Sequence, residues 1–190
     1  MVDLIVLQGV VMERNVRFAE HAFPTGKNLL KRKNHSAGIR FIDIIFDIDG
    51  TILDISHRVK FALQNPKDWK SFYCNMDADQ PIEEICSLLK SLLKDDTNQI
   101  LFCTGRVEDY RKKTIEQINK ILKGCKYFDV DTFLYMRPKG DLRKDFMVKR
   151  DLYNKMIIDG FDPVLVFEDK ATVVEMWQEL GLKCLKVTGA

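Results

Sequence analysis

One stretch of this chain sets its architecture: Ile44-Ile45-Phe46-Asp47-Ile48-Asp49-Gly50-Thr51, an apolar strand that ends in two carboxylates. Side chains two residues apart in an extended chain point to the same side, so Asp47 and Asp49 are expected to face one site. Two adjacent carboxylates are costly to bury unless a cation lies between them, and such hard oxygen ligands suit Mg²⁺. Gly50 then lets the chain turn sharply. The stretch therefore predicts a metal-assisted catalytic strand end.

The pattern Asp-x-Asp-Gly is also typical of ordinary turns and of calcium-binding loops. A helix-loop-helix calcium loop that begins at Asp47 requires a glutamate at its last ligand position, and that position is Arg58. The calcium-loop interpretation therefore fails, whereas a simple turn remains an alternative for the four residues taken by themselves.

The composition is that of an ordinary globular protein. Its 190 residues suffice for one domain with an extension and a small insertion. The net charge of +2 is too small to identify a partner, although a local basic patch can still bind nucleic acid. The five cysteines are scattered without a Cys-x-x-Cys pair, which favours reduced thiols in a cytosolic protein. No stretch approaches the roughly 20 apolar residues of a membrane span, so we expect a cytoplasmic protein that does not bind membranes.

Residues 41–190 alternate between predicted strands and helices, whereas residues 1–40 are predicted to be an N-terminal extension of uncertain order. This alternation predicts an α/β fold, a three-layer sandwich around a mostly parallel Rossmann-like sheet. The short connection between the first two catalytic strands predicts a small helical cap or insertion at residues 52–80. Hydrophobic periodicity predicts strands at residues 41–46, 99–103, 132–136, 164–167 and 183–187, and helices at residues 66–74, 81–93, 107–122, 141–158 and 172–180.

Chemically active side chains follow three of the predicted strands. A basic segment, residues 137–149, lies between the last two of these strands. Because the carboxyl ends of parallel strands open into one crevice, we expect carboxylates for a metal, a hydroxyl and several cations to meet there. The three strand ends carry Asp47 and Asp49, then Thr104-Gly105-Arg106, and finally Glu168-Asp169-Lys170.

This ordered set of strand ends resembles the haloacid dehalogenase superfamily of phosphotransferases. The resemblance implies that Asp47 is the nucleophile that forms an aspartyl-phosphate, and that Asp49 protonates the leaving oxygen and then activates water. It also implies that Thr104 binds the phosphoryl group and that a lysine neutralises its charge.

The same resemblance implies a Mg²⁺ site formed by Asp47 and Asp49 together with the carboxylates of the last strand end. The family often has Asp-Asp or Gly-Asp where this chain has Glu168-Asp169. Which of these two carboxylates binds the metal directly is therefore open, and we favour Asp169, helped by Glu168.

A narrower resemblance extends over almost the whole chain from residue 41 onward. Four segments look like the 3′-phosphatase domain of phage-type polynucleotide kinase-phosphatases: residues 47–51, 104–106, 137–149 and 173–177. This similarity selects Lys149 over Lys139 or Lys144 as the catalytic lysine. It assigns phosphate or substrate contacts to Gly105, Arg106, Arg137 and Lys170, the last of which stands where that family often has an arginine.

Several of these side chains also have ordinary structural interpretations. Lys149 could be a solvated lysine on an amphipathic helix. His57 follows the catalytic strand and could contact the substrate, but a surface histidine fits equally well. Trp69, Phe72 and Tyr73 lie in the small insertion and could stack on a base, although packing of the insertion onto the core is the favoured interpretation.

These patterns predict a Mg²⁺-dependent phosphomonoesterase that removes 3′-phosphates from DNA or RNA ends. The basic segment at residues 137–149, together with Arg106, favours this substrate. A nucleotidase or small-metabolite phosphatase is the first alternative, suggested by the modest net charge. A non-catalytic module that binds phosphorylated ends is the second, and the intact Asp47 and Asp49 speak against it. No P-loop occurs in the sequence, and whether a separate kinase or ligase works with this chain stays open. Neither the oligomeric state nor a preference for DNA, RNA or free nucleotides follows from the sequence.

Overall fold

A five-stranded sheet forms the centre of the computed structural model, which describes residues 42–125 and 128–188. The predicted extension at residues 1–40 lies outside these residues. The described helices contain no segment that is long and apolar enough to cross a membrane. In chain order the elements are β1 (Ile42–Phe46), β2 (Leu53–Asp54), α1 (Ser56–Ala62), α2 (Trp69–Cys74), β3 (Gln80–Pro81), α3 (Glu83–Leu92), β4 (Asn98–Val107), α4 (Arg111–Ile121), β5 (Leu134–Arg137), α5 (Asp145–Ile158), β6 (Pro163–Glu168), α6 (Ala171–Glu179) and β7 (Lys183–Lys186).

The central sheet has the strand order β5-β4-β1-β6-β7, and all of its neighbouring strands run parallel. From β1 the chain moves outward through β4 and β5, and then crosses back to add β6 and β7 on the other side. Strand order therefore reverses at β1, which is where open α/β sheets form their ligand-binding crevice. The predicted α/β fold with a mostly parallel sheet is confirmed.

Strand β1 is buried on both faces, which explains its unbroken apolar run. Ile44 and Phe46 belong to a core cluster that includes side chains of α3 and α4. Ile45 points to the opposite face and joins a second cluster with α5 and α6, where Trp177 is fully buried. One helical layer thus covers each face of the sheet, as in a three-layer sandwich.

The segment between β1 and α3 folds as a small insertion. Its two ends meet where β2 pairs antiparallel with β3, and α1 and α2 lie between them. Phe72, Tyr73 and Met76 form a small buried cluster of their own within this insertion. The sequence did not predict α1. An Asx turn leads into this helix: Asp54 Oδ1 accepts a hydrogen bond from the Ser56 N–H at 2.8 Å.

Two boundaries near the carboxyl edge of the sheet differ from the predictions. Strand β4 continues to Val107, so Thr104-Gly105-Arg106 lies inside the strand and not after it. Helix α5 begins at Asp145 rather than at residue 141, which leaves residues 138–144 as a loop. The Arg137 guanidinium fixes this loop by donating hydrogen bonds to the carbonyl oxygens of Asp141 and Arg143.

Candidate active site

The carboxyl ends of the three central strands lie at one level. Phe46 on β1 is in register with Phe102 on β4 and with Phe167 on β6. The residue after Phe46 is Asp47, whose backbone N–H donates to the Phe167 carbonyl oxygen at 3.0 Å. This register brings Asp47 next to Glu168 on one side. On the other side lies the buried part of β4 that follows Phe102 and includes Thr104.

Three carboxylates converge at this edge of the sheet. Asp47, Glu168 and Asp169 each offer an oxygen atom, and these atoms lie within 4.8 Å of one another. Burial, followed by repulsion from Glu168, raises the pKa of Asp47 to about 8. Burial also raises the pKa of Glu168 and, together with the charge of Asp47, that of Asp169. A bound divalent cation would remove this penalty, and an all-oxygen ligand set fits Mg²⁺.

Lys149 bridges two of the three carboxylates. Its Nζ lies 2.6 Å from Asp47 Oδ1 and 2.8 Å from Glu168 Oε2, and the residue is only 2% exposed. Burial by itself would lower the pKa of Lys149, but the charges of Asp47 and Glu168 outweigh it and raise the pKa well above its ordinary value. The alternative of a solvated lysine on the surface of α5 is therefore wrong.

Asp49 does not point its carboxylate at the other three. Arg106 donates to it from Nε at 3.0 Å and from Nη2 at 2.5 Å, and Arg58 donates from Nη2 at 2.7 Å. Burial raises the pKa of Asp49, but the charge of Arg106 and then that of Arg58 lower it below the ordinary value. The Asp49 carboxylate is thus bound by two arginines, and the role of Asp49 as a metal ligand stays a prediction.

Arg106 lies in the interior rather than on a substrate-binding surface. It is 1% exposed, and besides Asp49 its guanidinium donates to Asp79 Oδ2 at 2.9 Å and to Gln117 Oε1 at 2.6 Å. The prediction of a phosphate or substrate contact is therefore corrected: Arg106 acts on the site through Asp49. A planar guanidinium donates in several directions at once, which is why arginine suits this position.

Arg58 and Asp79 are functional candidates that the sequence analysis missed. Arg58 Nε and Nη2 donate to the two Asp79 oxygens at 2.6 and 2.8 Å, while the same Nη2 reaches Asp49. Asp79 comes from the loop before β3 and Arg58 from α1, so both belong to the insertion. The available signal was an arginine placed shortly after the catalytic strand, but its partner could be found only once the insertion had folded back.

Two glycines allow close approaches at the site. Gly50 has φ +86°, and a Cβ atom there would collide with the Asp169 carboxylate. A Cβ atom at Gly105 would collide with the Asp145 carboxylate. Gly105 therefore makes room and contributes its carbonyl oxygen, which accepts a hydrogen bond from Arg137 Nε at 2.9 Å. Thr104, the adjacent residue, is fully buried, and its Oγ1 accepts from the Arg106 N–H at 3.2 Å.

The remaining predicted site residues lie around the rim. Arg137 Nη2 donates to Asp145 Oδ1 at 3.0 Å, and Lys170 Nζ lies 3.4 Å from Asp145 Oδ2. The Lys170 side chain is exposed, whereas Arg137 donates to the backbone of the loop at residues 138–144. His57 Nε2 lies 3.1 Å from the Asn75 carbonyl oxygen, at the exposed edge of the insertion.

Comparisons with known proteins agree with this geometry. Residues 43–190 match the family model described as the polynucleotide kinase PNKP phosphatase domain. A protein of Autographa californica nuclear polyhedrosis virus, named as a bifunctional polynucleotide kinase/RNA ligase, is 29% identical over 140 residues, which make up 73% of this chain and 18% of the relative.

Two solved structures share the fold. A chain in the structure of a Pnkp1/Rnl/Hen1 complex has a TM-score of 0.61 and 26% identity, and the match covers 77% of this chain and 45% of that one. A chain of the Pnkp1/Rnl/Hen1 RNA repair complex has the same TM-score at 22% identity, over 93% of this chain and 47% of that one.

The chain spans less than half the length of these relatives. The family match, in contrast, covers nearly all of the described residues and includes every strand end discussed above. It confirms the resemblance found in the sequence and the predicted enzyme class of phosphoric monoester hydrolase. The chain belongs to the polynucleotide kinase PNKP phosphatase domain family, within the haloacid dehalogenase-type phosphatases.

Proposed function

We propose that this protein is a Mg²⁺-dependent phosphatase that removes 3′-phosphates from nucleic-acid ends through an aspartyl-phosphate on Asp47. One observation carries the proposal: the Asp47 carboxylate contacts the buried ammonium of Lys149 and lies within 4.8 Å of carboxylate oxygens of Glu168 and Asp169. A carboxylate and a phosphate dianion repel each other, because both are negatively charged. Positive groups next to them offset this repulsion, and this arrangement supplies a lysine and a site for a cation.

The metal would be held by Asp47 and Asp169. Glu168 is already engaged, because Lys149 Nζ and the Trp177 Nε1–H at 3.4 Å both contact its Oε2, and the Lys170 N–H contacts Oε1. Glu168 therefore fits better as the residue that positions Lys149. When bound, Mg²⁺ would neutralise phosphoryl charge and lower the pKa of Asp47, so that the nucleophile is ionised at neutral pH.

In the first step, a carboxylate oxygen of Asp47 attacks phosphorus, and the bond between phosphorus and the 3′ oxygen breaks. The leaving oxygen takes a proton from Asp49. Lys149 and the hydroxyl of Thr104 offer donors to the phosphoryl oxygens, where negative charge accumulates in the transition state. The negative charge of the arriving phosphate opposes the effect of Arg58 and Arg106 on Asp49, and this raises the proton affinity of Asp49 when substrate is bound.

In the second step, water attacks the phosphorus atom of the aspartyl-phosphate. Asp49, now a carboxylate, takes a proton from that water molecule, and the bond between phosphorus and the Asp47 oxygen breaks. Inorganic phosphate leaves and the Asp47 carboxylate is restored. The role of Arg58 and Arg106 in this scheme is to fix the Asp49 carboxylate in one orientation for both proton transfers.

The small insertion and the relatives support this substrate class. The described insertion contains α1, α2, a single 3-10 turn at Met76–Ala78 and the short pairing of β2 with β3. The viral relative is named as a polynucleotide kinase/RNA ligase, and one structural relative belongs to an RNA repair complex. These names favour RNA ends as substrate.

A phosphate-release assay tests this function. The purified protein is given oligonucleotides of RNA and DNA with a 3′-phosphate, the same oligonucleotides with a 5′-phosphate, and free nucleotides, each with Mg²⁺ and with EDTA. We expect Mg²⁺-dependent release from the 3′-phosphorylated ends, faster for RNA, and none from Asp47→Asn. Hydrolysis of free nucleotides with the 3′-phosphorylated oligonucleotides left intact would replace this proposal by the nucleotidase alternative.

A further inference from the structure

An exposed tryptophan lies on the insertion that also contributes Arg58 and Asp79. Trp69 begins helix α2 and is 44% exposed, whereas the other tryptophan of the chain, Trp177, is buried in the core. Phe72 contacts the Trp69 ring edge-on at a centroid distance of 5.6 Å, and the ammonium of Lys67 lies 5.2 Å from the ring centre. The Trp69 ring is thus partly exposed to solvent and has a cation over one face.

Contacts between aromatic rings connect Trp69 to the carboxyl end of strand β4. Tyr73 lies one helical turn after Trp69, with its ring centre 6.3 Å from that of Trp69, and stacks on Tyr110 at 4.2 Å. Tyr73 also hydrogen-bonds to the backbone of Val107, the last residue of β4. Burial, and then the negative charge of Asp49, raises the pKa of Tyr73, since its ring lies close to that carboxylate.

The insertion holds Trp69 at a fixed position relative to Asp49. Asp68 caps α2 by accepting a hydrogen bond from the Ser71 N–H at 2.9 Å. The Arg58 guanidinium, which binds Asp49, also lies over the Phe72 ring at 4.2 Å from its centre. The same arginine therefore contacts both the proposed acid-base residue and the aromatic group that supports Trp69.

Resting on the proposed function, we propose that Trp69 is the platform on which a base near the phosphorylated end of the substrate stacks. Every base has a π face, so stacking on tryptophan binds nucleic acid ends without selecting a sequence, as an end-processing enzyme requires. The Lys67 ammonium lies over the ring, and it suits a backbone phosphate of the same strand when a base stacks in its place. Phe72 and Tyr73 are buried and satisfy the packing of the insertion, which leaves the open surface of Trp69 for a ligand.

Tryptophan fluorescence tests this platform directly. The Asp47→Asn protein is titrated with a single-stranded oligonucleotide that carries a 3′-phosphate, so that binding is measured without turnover. Stacking on Trp69 should quench its emission, while the buried Trp177 contributes a constant background. In the Asp47→Asn protein, the further substitution Trp69→Phe should abolish the quenching. Trp69→Ala should weaken binding by about 5-fold to 100-fold, which the anisotropy of a labelled oligonucleotide measures. The phenylalanine variant should retain most of the affinity, because its ring still stacks.

Two controls separate stacking from a structural effect. An oligonucleotide that lacks the bases of its last two nucleotides should bind with the same affinity to the protein with Trp69 and to the Trp69→Ala variant. Ile158→Ala removes a side chain that is 70% exposed at the far end of α5 and should change nothing. Equal losses for the normal and the base-free oligonucleotide, or binding without quenching, would overturn the platform, as would a failure of the oligonucleotide to bind.

The outcome for Trp69 is separable from the outcome for the proposed function. Quenching and Trp69-dependent binding, together with no release of 3′-phosphate by the wild-type protein, would refute the proposed reaction and leave the platform standing. Release of 3′-phosphate with a KM that Trp69→Ala does not change would refute the platform and leave the reaction standing.

Discussion

Lys149 is the residue on which the electrostatics of the site depend. Its ammonium lies between Asp47 and Glu168, and all three groups are buried. Two ionised carboxylates in that position would repel each other strongly in a poorly solvated environment. The lysine compensates for this repulsion, and in the proposed reaction it would do the same for the charge on the phosphoryl group.

Replacing Lys149 by methionine keeps the volume and removes the charge. We expect kcat for phosphate release to fall by at least about 100-fold, because a group aimed at transition-state charge is lost. We also expect the free energy of unfolding to fall by about 3 kcal/mol, because the substitution breaks a buried ion pair. Urea unfolding at pH 7 and an assay of phosphate release measure the two effects.

The matched control is Lys144→Met, since Lys144 is exposed and stands just before the same helix. Its stability should change by no more than about 0.5 kcal/mol. A Lys149→Met protein that retains the wild-type kcat would show that this lysine has only a structural role.

Gly50 provides a test of the crowding around Asp169. Its φ of +86° strains any other residue, and a Cβ atom would meet the Asp169 carboxylate. Gly50→Ala should therefore lose about 1–2 kcal/mol of stability from the backbone. Because Asp169 is displaced as well, a higher Mg²⁺ concentration should be needed for half-maximal activity, which a metal titration of the phosphatase reaction measures.

Gly124→Ala is the control for this substitution. Gly124 has nearly the same φ, +87°, but no atom lies within 4 Å of the position that its Cβ would take. The backbone cost should be similar in the two variants, Gly50→Ala should lose somewhat more because of the collision with Asp169, and only Gly50→Ala should change the Mg²⁺ requirement. An equal Mg²⁺ requirement in both variants would remove Asp169 from the metal site.

At the scale of elements, the insertion completes the site as well as covering it. Helix α1 contributes Arg58, and the loop before β3 contributes Asp79. Together with Arg106 from β4 and with Asp49 itself, they form a network of two arginines and two aspartates. Such a network is stabilising only when each charge has its partners, so the position of α1 and the orientation of Asp49 depend on each other.

Arg58→Lys tests this coupling, because it keeps the charge and loses the fork that reaches Asp49 and Asp79 together. We expect a loss of about 2 kcal/mol in stability and a fall of about 10-fold in kcat. In a double-mutant cycle with Asp79→Asn, the combined loss should be smaller than the sum of the single losses, since the two residues share one interaction.

The same chemical change at an exposed pair is the control. Arg150 Nη2 lies 2.6 Å from Glu179 on the surface, and Arg150→Lys should change stability by less than about 1 kcal/mol. Strictly additive losses for Arg58→Lys and Asp79→Asn would mean that α1 and Asp49 are held independently.

The elements of the sheet and helix α2 of the insertion could be predicted from the sequence, whereas helix α1 could not. Strand β1 is a continuous apolar run because helices cover both faces, and the stripes of α3 and α4 follow from their single buried side. Helix α1 has only a weak pattern, since its main buried residue is an arginine. Its position depends on a charged partner that is distant in sequence, and local periodicity carries no such information.

At the scale of the whole molecule, the topology brings distant residues together. Asp47 and Lys149 are separated by 102 positions in the sequence and meet at the point where strand order reverses. The sequence could predict which strand ends carry the chemistry, because parallel strands must end at one edge. It could not predict that Arg106 turns inward to Asp49, since that choice depends on Asp79 and Gln117.

The proposed metal site predicts a global effect on stability. A cation that binds the folded protein stabilises it by about 2.7 kcal/mol at 100 times its dissociation constant. Mg²⁺ should therefore raise the melting temperature of the wild-type protein, and Asp169→Asn should reduce this shift strongly. Differential scanning fluorimetry with a Mg²⁺ series measures both.

Asp131→Asn serves as the control for the metal site, because Asp131 is an exposed acid paired with Arg111 away from the crevice. It should retain the full Mg²⁺-dependent shift. If Asp169→Asn also retains it, the cation that stabilises the protein binds elsewhere.

The most direct measurement is a single-turnover reaction with an oligonucleotide whose 3′-phosphate is radiolabelled. The reaction is run with Mg²⁺, stopped in acid at short times, and examined for label bound to the protein. The proposed mechanism predicts transient labelling of the wild-type protein on the peptide that contains Asp47, followed by release of inorganic phosphate, and neither in Asp47→Asn. Release of phosphate at an undiminished rate by Asp47→Asn, without any labelled protein, would contradict it.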